Sequence, residues 1–326
     1  MKLKLLGAMA VATALACTGA AAQDVTLHMG HNNQTDHPGH IAGLEFAKLV
    51  EEGTNGAVKV VVYPAEQLAN VRAGTEGLQL GTIDLYYVDA GTLGNWHPEY
   101  AFVSLPFLFD DFDHAVEAMD SIDAELSEKM REDFNVERLG WTPAGFRVIL
   151  TKDKPVASAA DMAGVKMRVP EIPMYVSTFT ALGANATPLP WGDVYSALQT
   201  GVVEGVEGPA PAILSGGFQE VVTHAAPTRH IMTDLALLMN LDKFNALTPE
   251  QQQVVRDAGK QAFNVTFRKL MKEADQAAYE EISADLAQPE DLDVQSFRTA
   301  VEPVVEEFLA EAGSEVGDWV ARIQEQ

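Results

Sequence analysis

The sequence predicts an α/β protein built as two lobes joined by crossover strands. Three observations lead there. The first is size: 326 residues with 47% hydrophobic side chains supply apolar material for one large core or two ordinary ones, and a folded part of about 300 residues suits two domains. The second is a β-α-β-α-β order between Val25 and Val88, the signature of a sheet with helices packed on it. The third is that strand–helix units recur beyond about residue 147.

The elements follow in order. Val25–Met29 alternates like a strand, and after a polar loop, residues Gly30 to His40, the apolar residues Ile41, Leu44, Phe46, Leu49 and Val50 fall at helical spacing up to Glu52. Val58–Tyr63 is a second strand stopped by Pro64, Ala73–Leu80 a helix, and Ile83–Val88 a third strand. A helix is expected over Asp113–Asp133, a strand near Val148–Thr151, and a short strand over Val165–Val169 ended by Pro170. Met174–Leu182 and Trp191–Thr200 read as helices and Gly205–Pro211 as a Gly/Pro loop. Thr248 and Gln251 form a capping box that opens a broken helical tail over Pro249–Ala284, and Val301–Ile323 closes the chain.

The N-terminus sets the compartment. Met1–Ala22 carries Lys2 and Lys4, an apolar stretch from Leu5 to Ala16, then small residues up to Ala22. That is the pattern of a secretory signal peptide cleaved after Ala22. A membrane anchor needs about 20 apolar residues, and this stretch is shorter. Cys17, the single cysteine, lies inside it; as a lipid-attachment site it would need its leucine one position earlier. Cleavage leaves no cysteine, which excludes a disulfide, a thiolate nucleophile and a thiolate zinc site.

Charge narrows the function further. The chain has 47 acidic and 22 basic side chains, a net of −25. Loss of Lys2 and Lys4 leaves 20 basic against 47 acidic, a net of −27. Such a field repels nucleic acid and anionic lipid, so an anionic ligand must be held by a local cluster of cations. There is no phosphate loop, no G-x-S-x-G elbow and no H-E-x-x-H helix. One segment, His31 to His40, offers metal-ligand chemistry through His31, Asp36, His37 and His40; its alternative reading is a polar loop capping the helix at Ile41, with Asp36 or His37 at the first turn.

Six blocks then carry a resemblance: Phe46-Ala47-Lys48-Leu49-Val50, Tyr63-Pro64-Ala65-Glu66-Gln67-Leu68, Leu78 to Leu85, Leu105-Pro106-Phe107-Leu108-Phe109, Gly164 to Pro170, and Ala197 to Gly205. In order and spacing they resemble the DctP-like solute-binding proteins of tripartite ATP-independent periplasmic (TRAP) transporters. The resemblance implies a two-lobed periplasmic-binding-protein fold, with hinged lobes around a ligand cleft and a long bracing helix. It implies lobe I over residues 23–146 and about 235–273, and lobe II over 147–234 and about 274–326. It also implies a periplasmic, monomeric binding protein with no cofactor, not an enzyme, that passes a small organic acid to TRAP membrane permease subunits.

The site residues come from the same resemblance. Arg168 matches the arginine that clamps the ligand carboxylate, and a planar guanidinium suits that fork; its alternative is a structural salt bridge. Arg147 matches a second cleft cation, with an exposed strand arginine as the other reading. Trp191 matches an aromatic that covers the ligand, or is a core tryptophan. Asn32 and Asp89 match positions that contact hydroxyl or amino groups, both at loop ends of predicted strands. Glu207 and Gly208 complete the expected set, Gly208 standing where many relatives have asparagine. Val71 stands where the sialic-acid branch has an acid, so the cargo expected is another acid, such as an aldonate or uronate. Two rival functions are a secreted hydrolase or lyase using Asp89, Glu207 or a histidine, and a metal-binding protein using His31, His37 and His40.

Overall fold

The computed structural model describes residues 25–326; the signal peptide expected at residues 1–22 lies outside them. Strand β1 (Val25–Gly30), helix α1 (Pro38–Gly53), β2 (Val58–Tyr63), α2 (Val71–Leu80) and β3 (Leu85–Asp89) follow the predicted order. β1 lies between β2 and β3 and parallel to both, as crossover helices require. His37 caps α1, its Nδ1 accepting the Gly39 N–H at 3.0 Å, and Pro38 takes the first helical position. Asn70 caps α2 through the Ala73 N–H at 2.9 Å, and Gly81 closes it in the left-handed region, at φ 72°.

After α3 (Phe112–Phe134) the chain enters β4 (Val136–Thr151), far longer than the four residues expected. β5 (Lys166–Val169), α4 (Pro173–Ala181), β6 (Asn185–Pro188), α5 (Val194–Thr200), β7 (Gly205–Pro209), α6 (Ala210–Ser215), β8 (His224–Ala226) and β9 (Met232–Asn240) follow. The sheet order is β2-β1-β3-β9-β4-β7-β5-β6, with β8 on β4. β1–β3 thus build one lobe and β5–β8 the other, while β4 and β9 run antiparallel between them.

Every residue of β4 and β9 is buried. A strand that meets water on neither face has no reason to alternate, which is why the sequence pattern left β9 unassigned and β4 truncated. The β4–β9 ladder breaks its register twice, between Arg138 and Gly140 and again between Pro143 and Phe146. Gly145 sits in that bulge at φ 98°, and the Asp275 carboxylate occupies the space a side chain would need.

One expectation is corrected. Gly205–Pro209 is a central strand, antiparallel to β4 and parallel to β5, and only Ala210 and Pro211 leave it. Its first glycine answers to packing: a Cβ on Gly205 would lie 2.6 Å from the Met167 methyl. The composition of a turn here serves a crowded interior.

α7 (Leu241–Asn245) leads to α8 (Pro249–Gly259), which opens on the Thr248/Gln251 capping box. A π-helical segment, Lys260–Phe267, joins α8 to α9 (Arg268–Asp285), so one helical path runs from Pro249 to Asp285. It packs first on α1 and later on α6 and β4, bracing both lobes. α10 (Val294–Glu311) and α11 (Gly313–Gln324) finish the chain. α11 returns to α3, where Trp319 donates to Glu125 at 2.9 Å and Arg322 pairs with the same carboxylate at 2.7 Å. Among the described residues no helix is long and apolar enough to cross a membrane.

Candidate ligand-binding site

A cavity of about 90 Å³ lies between the lobes. Its lining includes Asn32 after β1, Glu66 after β2, Asp89 at the end of β3, Arg147 on β4, Arg168 on β5 and Trp191 before α5. Loop ends of parallel strands are where open α/β sheets hold ligands, because their side chains converge outside the sheet's carboxyl edge.

The two arginines have different surroundings. Arg147 is 3% exposed and sits in register opposite Pro209 on β7. Its Nε donates to Glu207 Oε2, its Nη2 donates to Glu207 Oε1 at 2.6 Å and to the Glu207 carbonyl at 3.1 Å, and its Nη1 donates to Thr233 at 2.7 Å. The guanidinium also lies 4.7 Å over the Tyr175 ring. Of five N–H donors one remains toward the cavity. Burial works to raise the Glu207 carboxyl, but the Arg147 charge and bonds, helped by His230 at 3.2 Å, hold it at about 2. Arg147 and Glu207 therefore form a neutral, buried pair.

Arg168 is equally buried, at 3% exposure, but has no acidic partner in contact. Nε and Nη2 donate to the Leu189 carbonyl at 3.0 and 2.6 Å, and Nη1 has no hydrogen-bond partner. Burial pulls its pKa down to about 10; Glu207 opposes that and Arg147 adds to it. Trp191 stands beside it, the guanidinium 5.4 Å from the ring, with Phe218 backing the ring at 4.7 Å. A partly desolvated cation against an aromatic face is a preformed seat for an anion.

Asp89 lines the cavity from the first lobe. Its Oδ1 accepts the Gly91 N–H at 3.0 Å and its Oδ2 the Tyr175 hydroxyl at 3.1 Å, across the lobes. Burial raises its carboxyl to about 6, against the lowering effect of Arg147. Further bonds bridge the lobes, among them Ser215 Oγ to Asp36 at 2.9 Å, the Gly192 N–H to Glu66 Oε2 at 3.2 Å and Asn95 Nδ2 to the Glu171 carbonyl at 2.9 Å.

Of the residues predicted from sequence, Asn32, Asp89, Arg147, Arg168 and Trp191 meet on the cavity wall. Glu207 and Gly208 are not on it. Glu207 sits behind Arg147 with no exposure, and a Cβ on Gly208 would be in ordinary contact with Ile213 and the Trp191 ring, each at 3.5 Å. Glu66, Tyr175 and Thr233 were not foreseen as site residues. Glu66 lay inside a block that carried the resemblance, but nothing in a Pro-Ala-Glu-Gln turn signals an inward carboxylate.

The histidine segment folds as a cap. His31 and His40 bond each other through ring nitrogens at 3.1 Å, His31 stacks on Tyr87 at 4.6 Å, and His37 caps α1. Among the described residues the one cluster with metal-ligand spacing is His97, Glu99 and Asp133. The Lys129 ammonium already stands there, 3.1 Å from Asp133 and 3.8 Å from Glu99.

Residues 29–312 match the family model described as bacterial extracellular solute-binding protein, family 7. The chain belongs to the DctP family. Among its relatives, a solute-binding protein of Roseobacter denitrificans is 33% identical over 79% of each chain. The 2,3-diketo-L-gulonate-binding periplasmic protein YiaO of Escherichia coli is 28% identical over 96% of this chain and 94% of its own. A TRAP periplasmic solute-binding protein from Polaromonas sp. JS666, solved with bound D-erythronate, superposes with a TM-score of 0.86 at 32% identity, covering 92% of this chain and 98% of that one. One from Sulfitobacter sp. NAS-14.1, solved with bound β-D-galacturonate, gives 0.86 at 31% identity over 92% and 100%. DctP members are two-lobed binding components of transporters and not enzymes, so the hydrolase and metal-binding alternatives have no support.

Proposed function

We propose that this chain is the periplasmic receptor of a TRAP transporter for a small hydroxylated organic acid, a sugar acid, with Arg168 as the anchor of its carboxylate. One observation carries the reading: a buried guanidinium whose Nη1 has no partner. Leaving a buried donor unsatisfied costs about 1–3 kcal/mol, and more for a charged group. Three of the five N–H donors of Arg168 remain after Leu189 is served, and Nη1 with the second hydrogen of Nη2 makes the end-on fork that a carboxylate accepts. Trp191 covers the ligand's apolar face. Asn32 and Asp89 approach from the other lobe as it closes.

The cavity, of about 90 Å³, is that of a site for a small molecule. Neighbouring structures with erythronate and galacturonate point to the same class. The local reversal of the acidic field rests on Arg168, since Glu207 cancels Arg147.

We take lobe I as residues 23–146 and 235–273 and lobe II as 147–234 and from 274, with the closing helix α11 returned to lobe I because it packs on α3. The protein acts as a monomer that hands its cargo to the TRAP permease subunits. The test is thermal unfolding with sugar acids, dicarboxylates and keto acids. A ligand at 100 times its Kd stabilises by about 2.7 kcal/mol; wild type should show this with a sugar acid, and Arg168→Ala should not, while its ligand-free stability stays the same or rises. Wild-type affinity in Arg168→Ala would sink the assignment.

A further inference from the structure

The loop after β2 contains a tight turn, Pro64 to Gln67, closed by the Gln67 N–H on the Pro64 carbonyl at 3.0 Å. Its central residues, Ala65 and Glu66, have φ of 51° and 60°. Glycine and asparagine are the usual occupants of such positions, because a side chain there crowds the backbone. The turn is pinned from behind, the Ala65 N–H on the Asn33 carbonyl and the Glu66 N–H on the His31 carbonyl, both at 2.9 Å. Strain held by surrounding bonds is characteristic of sites where a side chain must point one way. Here it turns Glu66 into the cavity.

Glu66 Oε2 takes the Gly192 N–H from the opposite lobe at 3.2 Å, but Oε1 is buried and has no partner. Burial pushes this carboxyl up, against the Gly192 N–H, the Arg168 charge and, more weakly, the Val71 N–H, which stands outside hydrogen-bond geometry to Oε1. Glu66 and Arg168 feel each other's charge, yet among the described residues no ion pair within 4.0 Å joins them. The cavity thus presents a nitrogen lacking an acceptor and, apart from it, an oxygen lacking a donor. Asp89 has no such need, since Gly91 and Tyr175 serve it.

We infer that Glu66 selects acids bearing a hydroxyl on one of the two carbons next to the carboxylate, an inference that rests on the reading of Arg168 as the carboxylate anchor. A plain dicarboxylate or keto acid satisfies Arg168 but sets only acceptors against Glu66. A hydroxy acid supplies acceptor and donor side by side. An ammonium in the same place would oppose the Arg168 charge.

The experiment is calorimetry on the mature chain with erythronate and galactonate and with the 2-deoxy and 3-deoxy form of each. Wild type should bind at least one deoxy form about 10- to 100-fold more weakly than its parent, the loss expected of a hydrogen bond to a charged group. Glu66→Gly should narrow that ratio to about threefold or less while still binding the parent acid, and should melt no lower than wild type without ligand, because the strained φ and the unpaired carboxylate both go. Glu66→Gln, which keeps the side chain's size, should also narrow the ratio. The inference is overturned if wild type treats parent and deoxy acids alike, or if either variant keeps the wild-type ratio; the Arg168 anchor then still stands. If wild type binds no acid of the panel, the anchor reading falls and takes this inference with it.

Discussion

Glu207→Gln is expected to remove about 3 kcal/mol of stability at neutral pH. The magnitude follows from the Glu207 carboxyl, held at about 2 against an ordinary 4.5, at about 1.4 kcal/mol per pH unit. Because the folded-state value is the lower one, this stability is fully present above pH 4.5 and is lost as the pH falls toward 2. Removing one member of a buried pair costs about 3–5 kcal/mol by independent reckoning, since the survivor stays charged and dry. Arg147, with Tyr175 beneath it, would be that survivor. Removing both members, as Arg147→Met with Glu207→Leu, should recover most of the loss. Urea unfolding at pH 7, followed by tryptophan fluorescence and circular dichroism, measures all three proteins. The reasoning fails if Glu207→Gln costs less than about 1 kcal/mol, or if the double variant is no more stable than the single one.

Two further outcomes are expected. His37 is pushed down to about 4 by burial, despite Asp36, so its contribution is present above pH 6.5 and is lost as the pH falls through 4; at pH 5 the loss is about 2 kcal/mol. His37→Asn keeps the helix cap and should remove that share of the acid sensitivity, read from urea midpoints at pH 7 and 5; an unchanged difference between the two pH values would contradict it. Gly145→Ala should lower stability by about 2 kcal/mol or more, because φ there is 98° and Asp275 fills the space. At an unstrained site the same change stabilises by about 0.4–1 kcal/mol, so the sign of the effect in thermal unfolding decides.

The first lobe was legible because its elements obey local rules. β1 shows its exposed face in the alternation of polar residues and α1 only in its last turns, since Ile41 and Leu44 are exposed while the small residues Ala42 and Gly43 take the buried face; caps and prolines mark where α1 and α8 begin. What lay hidden is what two-sided burial hides. β9 and most of β4 do not alternate, and β7 opens on Gly205 because Met167 and the Leu150 carbonyl press on it. For the site, register with a known family singled out Arg168, but sequence could not separate its role from that of Arg147. Both are arginines on buried strands, and only the distance to Glu207 tells the compensated charge from the free one. Glu66 escaped notice because the role inferred for it depends on backbone dihedrals that its neighbours impose.

The helical path from Pro249 to Asp285 bears on how the molecule moves. With the lobes divided as proposed, β4, β9, this path and the return from α10 to α11 make four separate crossings between them. The β4–β9 ladder forbids sliding, since a shift along the strands would break its bonds one after another. Bending at its two interruptions, Arg138–Gly140 and Pro143–Phe146, breaks none that are not already lost. A body tied by several cords that resist sliding but bend keeps an angle as its soft coordinate. With Arg168 as the anchor proposed above, the chemistry of the cargo would be converted into geometry: whatever fits between Arg168 and the far wall would set how far that angle closes, and a receptor outside the cavity would read that angle.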